Sequence, residues 1–423
     1  MKITNVGIIG LGTVGTGVVK TLQSFNQICI KKVAVKNISK KRDIPGFDES
    51  LITDNAYEVV NNPEIDIVVE VVGGIEPTFD IIKTAMNNSK HIVTANKELL
   101  AKHGQELFNI AKEKNVVVLY EAAIAGGIPI IMPIKTILGA NKITKIAAIL
   151  NGTTNYILTK MDESEVSYED VLKEAQALGY AETDPTGDVE GYDAAYKLAT
   201  LATIAFNQRV DINKIYREGI TKISSQDIKN ARELGYKIKL IALAQLTEQN
   251  KADVRVHPMF VPDKNVLASI NDVTNAVMLK GEPVGEVMFT GPGAGEMPTA
   301  SSVVGDILAL ATELNESNCP LPMMRCHHEA KAEQLDIKDT YNQYYISISA
   351  SNNPGVIGHV GTICGKHNIN ISSILQKGVK KDDTAEVVVV TALSKESDVQ
   401  NAMKELLEQS SINKINSLIR VMN

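Results

Sequence analysis

The chain has 423 residues and a formal net charge of −7; 44% of its residues are hydrophobic and 22% are charged. This length exceeds what one hydrophobic core usually holds, so two or three domains are expected. The composition disfavours disorder, and the negative charge disfavours nucleic acid or an anionic membrane as the main partner.

The sequence also indicates a cellular compartment. Its four cysteines, Cys29, Cys319, Cys326 and Cys364, follow no disulfide spacing, and the first residues lack the features of a secretory signal. The longest apolar runs have the length of strands, so none is expected to span a bilayer. We therefore expect a soluble cytoplasmic protein that does not associate with a membrane.

Residues 1–135 alternate short, β-branched runs with helical patterns. The runs are apolar on both faces, which is typical of buried parallel strands. Repeated alternation of strand and helix predicts an α/β fold with a Rossmann-like, doubly wound parallel sheet. We expect this part to be a dinucleotide-binding domain, with a helix around 298–316 packing back on it.

A glycine-rich turn follows the first predicted strand. It has the spacing G-x-G-x-x-G and comprises Gly10, Leu11, Gly12, Thr13, Val14 and Gly15. In this context the three glycines permit a tight turn, the close approach of a pyrophosphate and close helix–strand packing. The following helix offers free N–H groups and its positive dipole end. The alternative is a glycine-rich turn that binds no ligand.

The position after the second strand bears on the choice of cofactor. NAD-binding folds usually have an acid there, which binds the ribose 2′-hydroxyl. This chain has Asn37, close to four cations: Lys36, Lys40, Lys41 and Arg42. The missing acid and the cations favour NADP(H), although NAD(H) is not excluded and a solvated basic loop is the alternative.

The remaining sequence divides into three parts. Residues 136–300 mix long helices with strands and predict an α+β domain. Residues 301–343 predict the returning helix and a polar linker. Residues 344–423 run β-α-β-β-α-β, the order of a ferredoxin-like unit.

The segment from 182 to 197 gathers five carboxylates around one lysine: Glu182, Asp184, Asp188, Glu190, Asp193 and Lys197. Asp193 and Lys197 have the spacing of one helical face, and a surface salt bridge is the simplest interpretation of that pair. So many carboxylates call for another cation, either a substrate ammonium or a metal. In a dehydrogenase, carboxylates would hold an amino group, and a lysine near the developing alkoxide would transfer the proton.

The chain resembles the homoserine dehydrogenase family. The motifs occur in that family's order over about residues 1–330: "GLGTVG", "VTANKELLA", "EAAIAGGIP", "NGTTNYIL", "GYAETDPTGDVEGYDAAYK" and "GPGAGEMPTASSVVGDI". The segment after residue 340 resembles the regulatory ACT domain of many bacterial members, and the resemblance implies that the domain over 136–300 serves catalysis and dimerisation. The resemblance implies an oxidoreductase that interconverts L-aspartate 4-semialdehyde and L-homoserine in threonine, methionine and isoleucine biosynthesis.

The resemblance also implies roles for residues of the acidic segment. Lys197 is expected to donate the proton to the carbonyl oxygen, and Asp193 to position that lysine. Glu182 and Asp188 are expected to bind the substrate. Lys97 is expected to lie between cofactor and substrate and to share the acid–base work.

Further positions are implied to line the cofactor or a cation. The cofactor-lining set adds Thr94, Lys97, Gly179 and Gly295 to the glycine-rich turn. In "EAAIAGGIPI" the family has a loop for a structural monovalent cation, sodium or potassium. Its ligands would be backbone oxygens of Glu121, Ile124, Gly126 and Ile128. A plain strand end and turn is the alternative.

A catalytic zinc is the competing interpretation for an alcohol dehydrogenase. The segment "CPLPMMRCHH" contains Cys319, Cys326, His327 and His328. Their spacing does not match a common zinc pattern, so buried or loop residues are the better interpretation.

The ACT-like part departs from the family pattern at one position. Asn352 stands where that family usually has aspartate in the turn before the first helix. Asparagine can still form the turn and bind an amino acid, with threonine as the candidate effector, but the lost charge is expected to weaken binding of a ligand ammonium. An oligomerisation module without ligand is the alternative, and a homodimer or homotetramer is expected.

Two other functions stay open from the sequence. One is a catalytically silent sensor of a dinucleotide or an amino acid. The other is a different nicotinamide-dependent amino-acid dehydrogenase, which would release ammonia from its substrate.

Overall fold

The computed structural model describes residues 3–164, 166–316, 330–379 and 384–422. Its contacts group into two compact units. The first comprises Met1–Ile146, Tyr196–Asn213 and Thr274–Ala332, and the second comprises Ala147–Ala195, Lys214–Val273 and Glu333–Asn423. In the described ranges no helix combines the length and the apolarity needed to cross a bilayer.

The first unit is built on a parallel sheet of six strands. They are β1 (Thr4–Ile9), β2 (Ile28–Ala34), β3 (Ile52–Thr53), β4 (Ile67–Glu70), β5 (His91–Thr94) and β6 (Val118–Leu119). The spatial order is β3-β2-β1-β4-β5-β6, and every pair is parallel. This is the doubly wound order, which confirms the predicted fold and puts a ligand crevice at the carboxyl ends of β1 and β4.

Six helices follow or connect these strands. They are α1 (Thr13–Leu22), α2 (Ala56–Val60), α3 (Thr78–Asn87), α4 (Lys97–Lys114), α5 (Ala122–Ala125) and α6 (Ile131–Lys135). Asn55 and Asn96 cap α2 and α4 by accepting backbone N–H groups, which satisfies donors at those helix ends. Helix α4 ends at Asn115, which adopts the left-handed conformation that closes many helices.

Strand β7 (Lys142–Ile149) leads from the first unit into the second, where four helices follow. They are α7 (Gly152–Ser164), α8 (Tyr168–Ala177), α9 (Thr186–Val189) and α10 (Tyr192–Phe206). Helix α10 carries the chain back into the first unit from Tyr196 onward. The carboxylate-rich segment therefore begins in the loop after α8 and includes the short helix α9 and the start of α10.

A hairpin forms the centre of the second unit. After β8 (Tyr216–Arg217) and α11 (Ser225–Glu233), strands β9 (Tyr236–Leu246) and β10 (Ala252–Pro262) pair antiparallel along their whole length. Strand β8 pairs parallel with β10 at Arg255 and Val256. Strand β10 is almost entirely buried, and its buried residues include the polar Asp253, Arg255 and His257.

Within the first unit, a second hairpin precedes a long helix. It consists of β11 (Thr274–Glu282) and β12 (Gly285–Pro292), and α12 (Glu296–Glu316) follows. Helices α1 and α12 pack closely: a Cβ added to Gly17 would lie 2.6 Å from the Glu296 carbonyl oxygen and 2.9 Å from the Ala300 Cβ. A glycine on α1 is what permits this approach.

The last part of the second unit has the order expected of a ferredoxin-like fold. Its elements are β13 (Tyr341–Ser351), α13 (Val356–Lys366), β14 (Ile371–Val379), β15 (Thr384–Thr391), β16 (Ser394–Lys395), α14 (Glu396–Leu407) and β17 (Ile412–Val421). Strands β17, β13, β15 and β14 form its sheet, and β17 also pairs with β10. The sheet therefore continues from the hairpin into the ferredoxin-like part without a break.

Candidate functional site

The glycine-rich turn has the geometry that a dinucleotide requires. Strand β1 ends at Ile9, and Gly10 follows with a φ of +103°. A Cβ on Gly15 would lie 2.1 Å from the Gly10 carbonyl oxygen, so only glycine permits this contact. A Cβ on Gly12 would meet no described atom within 4 Å. The open space before the N-terminus of α1 fits a pyrophosphate.

The carboxyl ends of β4 and β5 are held together by a buried acid that the sequence analysis did not identify. Glu70 accepts the N–H groups of Val72 and Gly73 at 2.8 and 2.9 Å. Its other oxygen accepts the hydroxyl of Thr94 at 2.6 Å. Glu70 thus shapes the loop after β4 and fixes Thr94, which was predicted to line the cofactor. An acid ending an apolar run was the available signal.

Lys97 is the first residue of α4 and is half-buried. The preceding Asn96 caps the helix at Leu99 N–H, and its Nδ2 donates to the Gly74 carbonyl at 2.6 Å. Farther along α4, the Lys102 ammonium lies 5.4 Å from the Tyr196 ring centroid. This contact packs α4 against α10, so the helices that carry Lys97 and Lys197 are neighbours in the first unit.

The loop after β2 is basic and exposed. Asn37 Oδ1 accepts the Ser39 N–H at 2.9 Å and forms a local turn. The Arg42 guanidinium donates to the carbonyls of Lys40 and Asn37 at 2.7 and 2.8 Å. Arg42 therefore closes the loop on itself, and Lys36, Lys40 and Lys41 lie on the outside.

Two glycine-rich loops of the first unit pack backbone against backbone. A Cβ on Gly126, which has a φ of +59°, would lie 2.3 Å from the Gly293 carbonyl oxygen. A Cβ on Gly127 would lie 2.8 Å from the Pro298 Cβ. Gly295, predicted to line the cofactor, follows in the same loop with a φ of +118°. Side chains at these positions would force the loops apart.

Glu121 is buried, and its side chain organises the start of α6. Its carboxylate accepts the N–H groups of Ile130, Ile131 and Met132 at 2.5–2.7 Å. Its own N–H donates to Asp306 on α12 at 2.9 Å, and burial raises the pKa of Asp306 well above its usual range. Only the backbone oxygen of Glu121 was predicted to have a role; the contacts of its carboxylate with the start of α6 were not.

The predicted cation ligands lie around the short helix α5. The carbonyl of Gly126 accepts the Ser302 hydroxyl at 2.7 Å, and a carbonyl oxygen has two lone pairs. Glu121, Ile124 and Ile128 are all buried, as a structural ion would require. Backbone oxygens are suitable ligands for such an ion.

Asp193 and Lys197 lie in the first two turns of α10. Each is only 8% exposed, so the pair is not an ordinary solvated salt bridge on the surface. The four-residue spacing puts both side chains on one face of the helix. A buried carboxylate one turn before a buried lysine can orient that lysine and favour its charged form.

Asn151 joins Asp193 to a second carboxylate. Its Nδ2 donates to Asp188 Oδ1 at 2.7 Å and to Asp193 Oδ2 at 3.0 Å. The Thr153 hydroxyl lies 3.2 Å from Asp188 Oδ2. The structure therefore brings two of the predicted site residues together, through an asparagine to which sequence reasoning gave no role.

The other carboxylates of the segment have different surroundings. Glu182 is exposed, and its backbone carbonyl accepts Gln176 Nε2 at 3.1 Å. Asp184 accepts the Thr186 N–H and so starts α9, while Glu190 accepts the Thr221 hydroxyl. Gly179 ends the preceding turn with a φ of +77°. Asp184 and Glu190 thus have structural partners, and the side chain of Glu182 faces solvent.

The cysteines and histidines of the zinc alternative, Cys319, Cys326, His327 and His328, lie outside the described residues. Within the described ranges, no group of three histidine, cysteine or acidic side chains is arranged to hold a metal.

Comparisons with known proteins cover nearly the whole chain. The family model "Homoserine dehydrogenase, NAD binding domain" matches residues 10–121, "Homoserine dehydrogenase" matches 129–308, and "ACT domain" matches 344–409. A homoserine dehydrogenase of Synechocystis sp. is 42% identical over 431 residues, which covers 99% of both chains.

Solved structures agree with these matches. The crystal structure of a homoserine dehydrogenase from Thiobacillus denitrificans has a TM-score of 0.94 and 38% identity, and the alignment covers 100% of this chain and 99% of the other. A hyperthermophilic archaeal homoserine dehydrogenase in complex with NADPH has a TM-score of 0.63 and 28% identity, and the alignment covers 75% and 100%. These similarities favour an oxidoreductase acting on a CH–OH group over a silent sensor. The chain belongs to the homoserine dehydrogenase family.

Proposed function

We propose that Lys197 is the acid–base residue for the family's reaction, the reversible reduction of L-aspartate 4-semialdehyde to L-homoserine. In the reducing direction the Lys197 ammonium would donate its proton to the carbonyl oxygen, and in the oxidising direction its amine would take the hydroxyl proton. Asp193, one helical turn earlier, would orient the ammonium. The observation that carries this proposal is the burial of both side chains on one face of α10.

The nicotinamide, when bound, supplies or accepts the hydride at the carbon that bears the reacting oxygen. The protein's role is to bind the dinucleotide and to position its nicotinamide against the substrate. Gly10 to Gly15 would bind the pyrophosphate through backbone N–H groups, because Gly12 leaves its space open and α1 presents its positive end there. Thr94, fixed by Glu70, and the turns at Gly179 and Gly295 would line the rest of the cofactor.

Two carboxylates would recognise the amino acid. Asp188 is half-buried and held by Asn151, so it is oriented in advance for the substrate ammonium. Glu182 is exposed and would close on the same ammonium when substrate binds. Lys97, at the N-terminus of α4, would face the reacting region from the neighbouring helix and share the acid–base work.

The test of the function is homoserine-dependent reduction of NADP and of NAD by the purified chain, side by side. Formation of NADPH without release of ammonia is the expected result. Release of ammonia would identify a different amino-acid dehydrogenase. A folded sample that binds NADPH and turns over neither cofactor would leave only the sensor.

We propose that NADP(H) is preferred over NAD(H). The exposed cations around Asn37 would attract a 2′-phosphate. Asn37 itself stands where NAD-binding folds usually have an acid, and an acid there would repel that phosphate.

Asn37→Asp tests this preference with little disturbance of the loop, because an aspartate can also accept the Ser39 N–H. The new charge should lower kcat/KM for NADP about tenfold, which corresponds to roughly 1.4 kcal/mol. The value for NAD should stay constant or rise. An unchanged ratio of the two specificity constants would refute the assignment.

We also propose a structural sodium or potassium ion at the backbone oxygens of Glu121, Ile124, Gly126 and Ile128. The positive φ of Gly126 supports this, since it turns the loop irregularly beside buried groups. Rubidium or thallium substituted for the ion would mark the site by anomalous scattering. Diffraction that shows water at those oxygens would remove the ion from the proposal.

The ACT domain suggests an amino-acid effector, and we propose threonine. Support comes from a chain of contacts between this domain and the acidic segment. Arg420 on β17 donates to Glu218 at 3.2 Å, and Tyr216 also donates to Glu218 at 3.0 Å. Two residues after Glu218 the chain contacts the acidic segment, where the Ile220 N–H donates to the Val189 carbonyl at 2.8 Å.

This bridge of contacts, from Arg420 to the acidic segment, continues to the start of α10. Arg217 donates to the Glu190 carbonyl, and its guanidinium lies 3.4 Å from the Tyr192 ring centroid. The Thr221 hydroxyl donates to Glu190 Oε1 at 3.0 Å. A shift of β17 would therefore be transmitted to the turn that precedes Asp193.

Glu218→Gln should weaken the response to threonine, since it removes the charge that links Arg420 to the bridge. We expect the half-inhibitory threonine concentration to rise about fivefold, with turnover in the absence of threonine within twofold of wild type. Glu405→Gln is the matched control, because Glu405 pairs with Lys366 and His367 within the ACT domain. Equal responses of both variants, or a wild type insensitive to threonine, would count against the bridge.

We propose that the chain forms a homodimer or homotetramer and works in the cytoplasm. The edge strand β12 supports association, because it exposes Met288 near the exposed Val284. The location is supported by Cys29 and Cys364, which form no disulfide in the described part of the chain. Sedimentation equilibrium and cell fractionation measure these two properties.

A further inference from the structure

Asn151 occupies a position that the proposed roles leave unexplained. It lies between β7 and α7, is 5% exposed, and uses both ends of its side chain. The amide nitrogen bridges the carboxylates of Asp188 and Asp193. The amide oxygen caps α7 by accepting the Thr154 N–H at 2.9 Å, and it also lies 3.0 Å from the Thr154 hydroxyl.

The partners decide the orientation of this amide. If oxygen and nitrogen were exchanged, the carbonyl oxygen would face two carboxylates, and the NH₂ group would face the Thr154 N–H donor. Only one orientation satisfies all of these contacts. Asn151 therefore fixes the helix end and the carboxylate pair in one rigid unit.

A neutral amide is well suited to this position. Two carboxylates close together repel each other, and a lysine between them would neutralise the charge that each needs for its own cation. The two N–H groups of one amide bind both carboxylates and leave their charges in place. Asp188 then remains available to the substrate ammonium and Asp193 to the Lys197 ammonium.

We propose that Asn151 is a positioning residue that sets the separation of Asp188 and Asp193, and thereby the register of the substrate against Lys197. This inference rests on the proposed function. In homoserine, two carbon–carbon bonds separate the carbon that bears the ammonium from the carbon that bears the reacting hydroxyl. A fixed spacing between the carboxylate for the ammonium and the carboxylate for the lysine would favour a substrate of that length.

Asn151→Ser and Asn151→Asp separate positioning from structural support. Serine and aspartate cap helices about as well as asparagine, so both variants keep α7 while losing the donors to the carboxylates. We expect kcat/KM for homoserine to fall about 100-fold in each, because a small displacement of reacting groups costs that much. The melting temperature of Asn151→Ser should be retained, whereas repulsion among three carboxylates should lower that of Asn151→Asp. KM for NADP should stay within twofold in both variants.

The pH profile supplies a readout that a structural role would not move. In Asn151→Asp, a third carboxylate stabilises the charged form of Lys197, so the acid limb of homoserine oxidation should move to higher pH. In Asn151→Ser no charge is added, so that limb should move less than in Asn151→Asp.

Asn155→Ser is the matched control on the same helix. Asn155 is also buried, but its amide donates to the carbonyls of Ile270 and Asp272 at 3.1 and 2.9 Å. We expect it to lower stability while the folded fraction turns over within threefold of wild type. If the Asn151 variants match wild type, or lose activity only as Asn155→Ser does, the inference is overturned. Absence of homoserine turnover in the wild type would instead overturn the proposed function.

Discussion

Lys197→Ala is expected to lower kcat for homoserine oxidation about 1,000-fold while the affinity for NADPH is retained. The hydroxyl proton would lose its acceptor, and water would have to replace a positioned amine. Dinucleotide binding depends on the backbone of the glycine-rich turn, so it should not need this side chain. Steady-state turnover and fluorescence titration with NADPH measure the two quantities separately.

Two further variants define what the lysine contributes. Lys197→Arg keeps a positive charge, but a guanidinium does not give up its proton in this pH range, so turnover should stay low. Lys173→Ala on α8 removes an exposed lysine and should leave turnover unchanged. If Lys197→Ala retained more than a tenth of the wild-type kcat, Lys197 would not be the acid–base residue. Lys97 would then be assigned that role, and kcat of Lys97→Ala should be lower than that of Lys197→Ala.

The glycine-rich turn could be predicted from the sequence because its chemistry is local. Gly10, Gly12 and Gly15 lie within six residues, and their roles follow from backbone geometry at the end of one strand. Asp193 and Lys197 could likewise be predicted to share a helix face, because the spacing of four is a property of one helix. Their burial could not be predicted, since it depends on packing that no short segment specifies.

The residues that were missed act over long sequence distances. Glu70 reaches Thr94, Glu121 reaches residues of α6 and Asp306, and Asn151 reaches Asp188 and Asp193. A lone glutamate or asparagine carries no periodic signal, so its partners become visible only in the folded chain.

Gly15→Ala should have the second large effect, on both folding and cofactor binding. The added Cβ would lie 2.1 Å from the Gly10 carbonyl oxygen and 3.0 Å from the Gly10 carbonyl carbon, and both belong to backbone. Strand β1 and helix α1 would have to separate, so we expect a loss of about 3 kcal/mol in the free energy of unfolding. Urea denaturation measures this loss, and NADPH titration should show that the remaining folded protein binds weakly.

Two glycine variants make the result interpretable. Gly12→Ala adds its methyl where no described atom lies within 4 Å, so the protein should keep its stability while the Kd for NADPH rises about tenfold through obstruction of the pyrophosphate. Gly305→Ala, in the exposed middle of α12, should be neutral or stabilising by about 0.5–1 kcal/mol, as alanine is in helices. If Gly12→Ala bound NADPH as tightly as wild type, the turn would be structural only. If Gly15→Ala were as stable as Gly305→Ala, the close contact of β1 and α1 would not be needed for the fold.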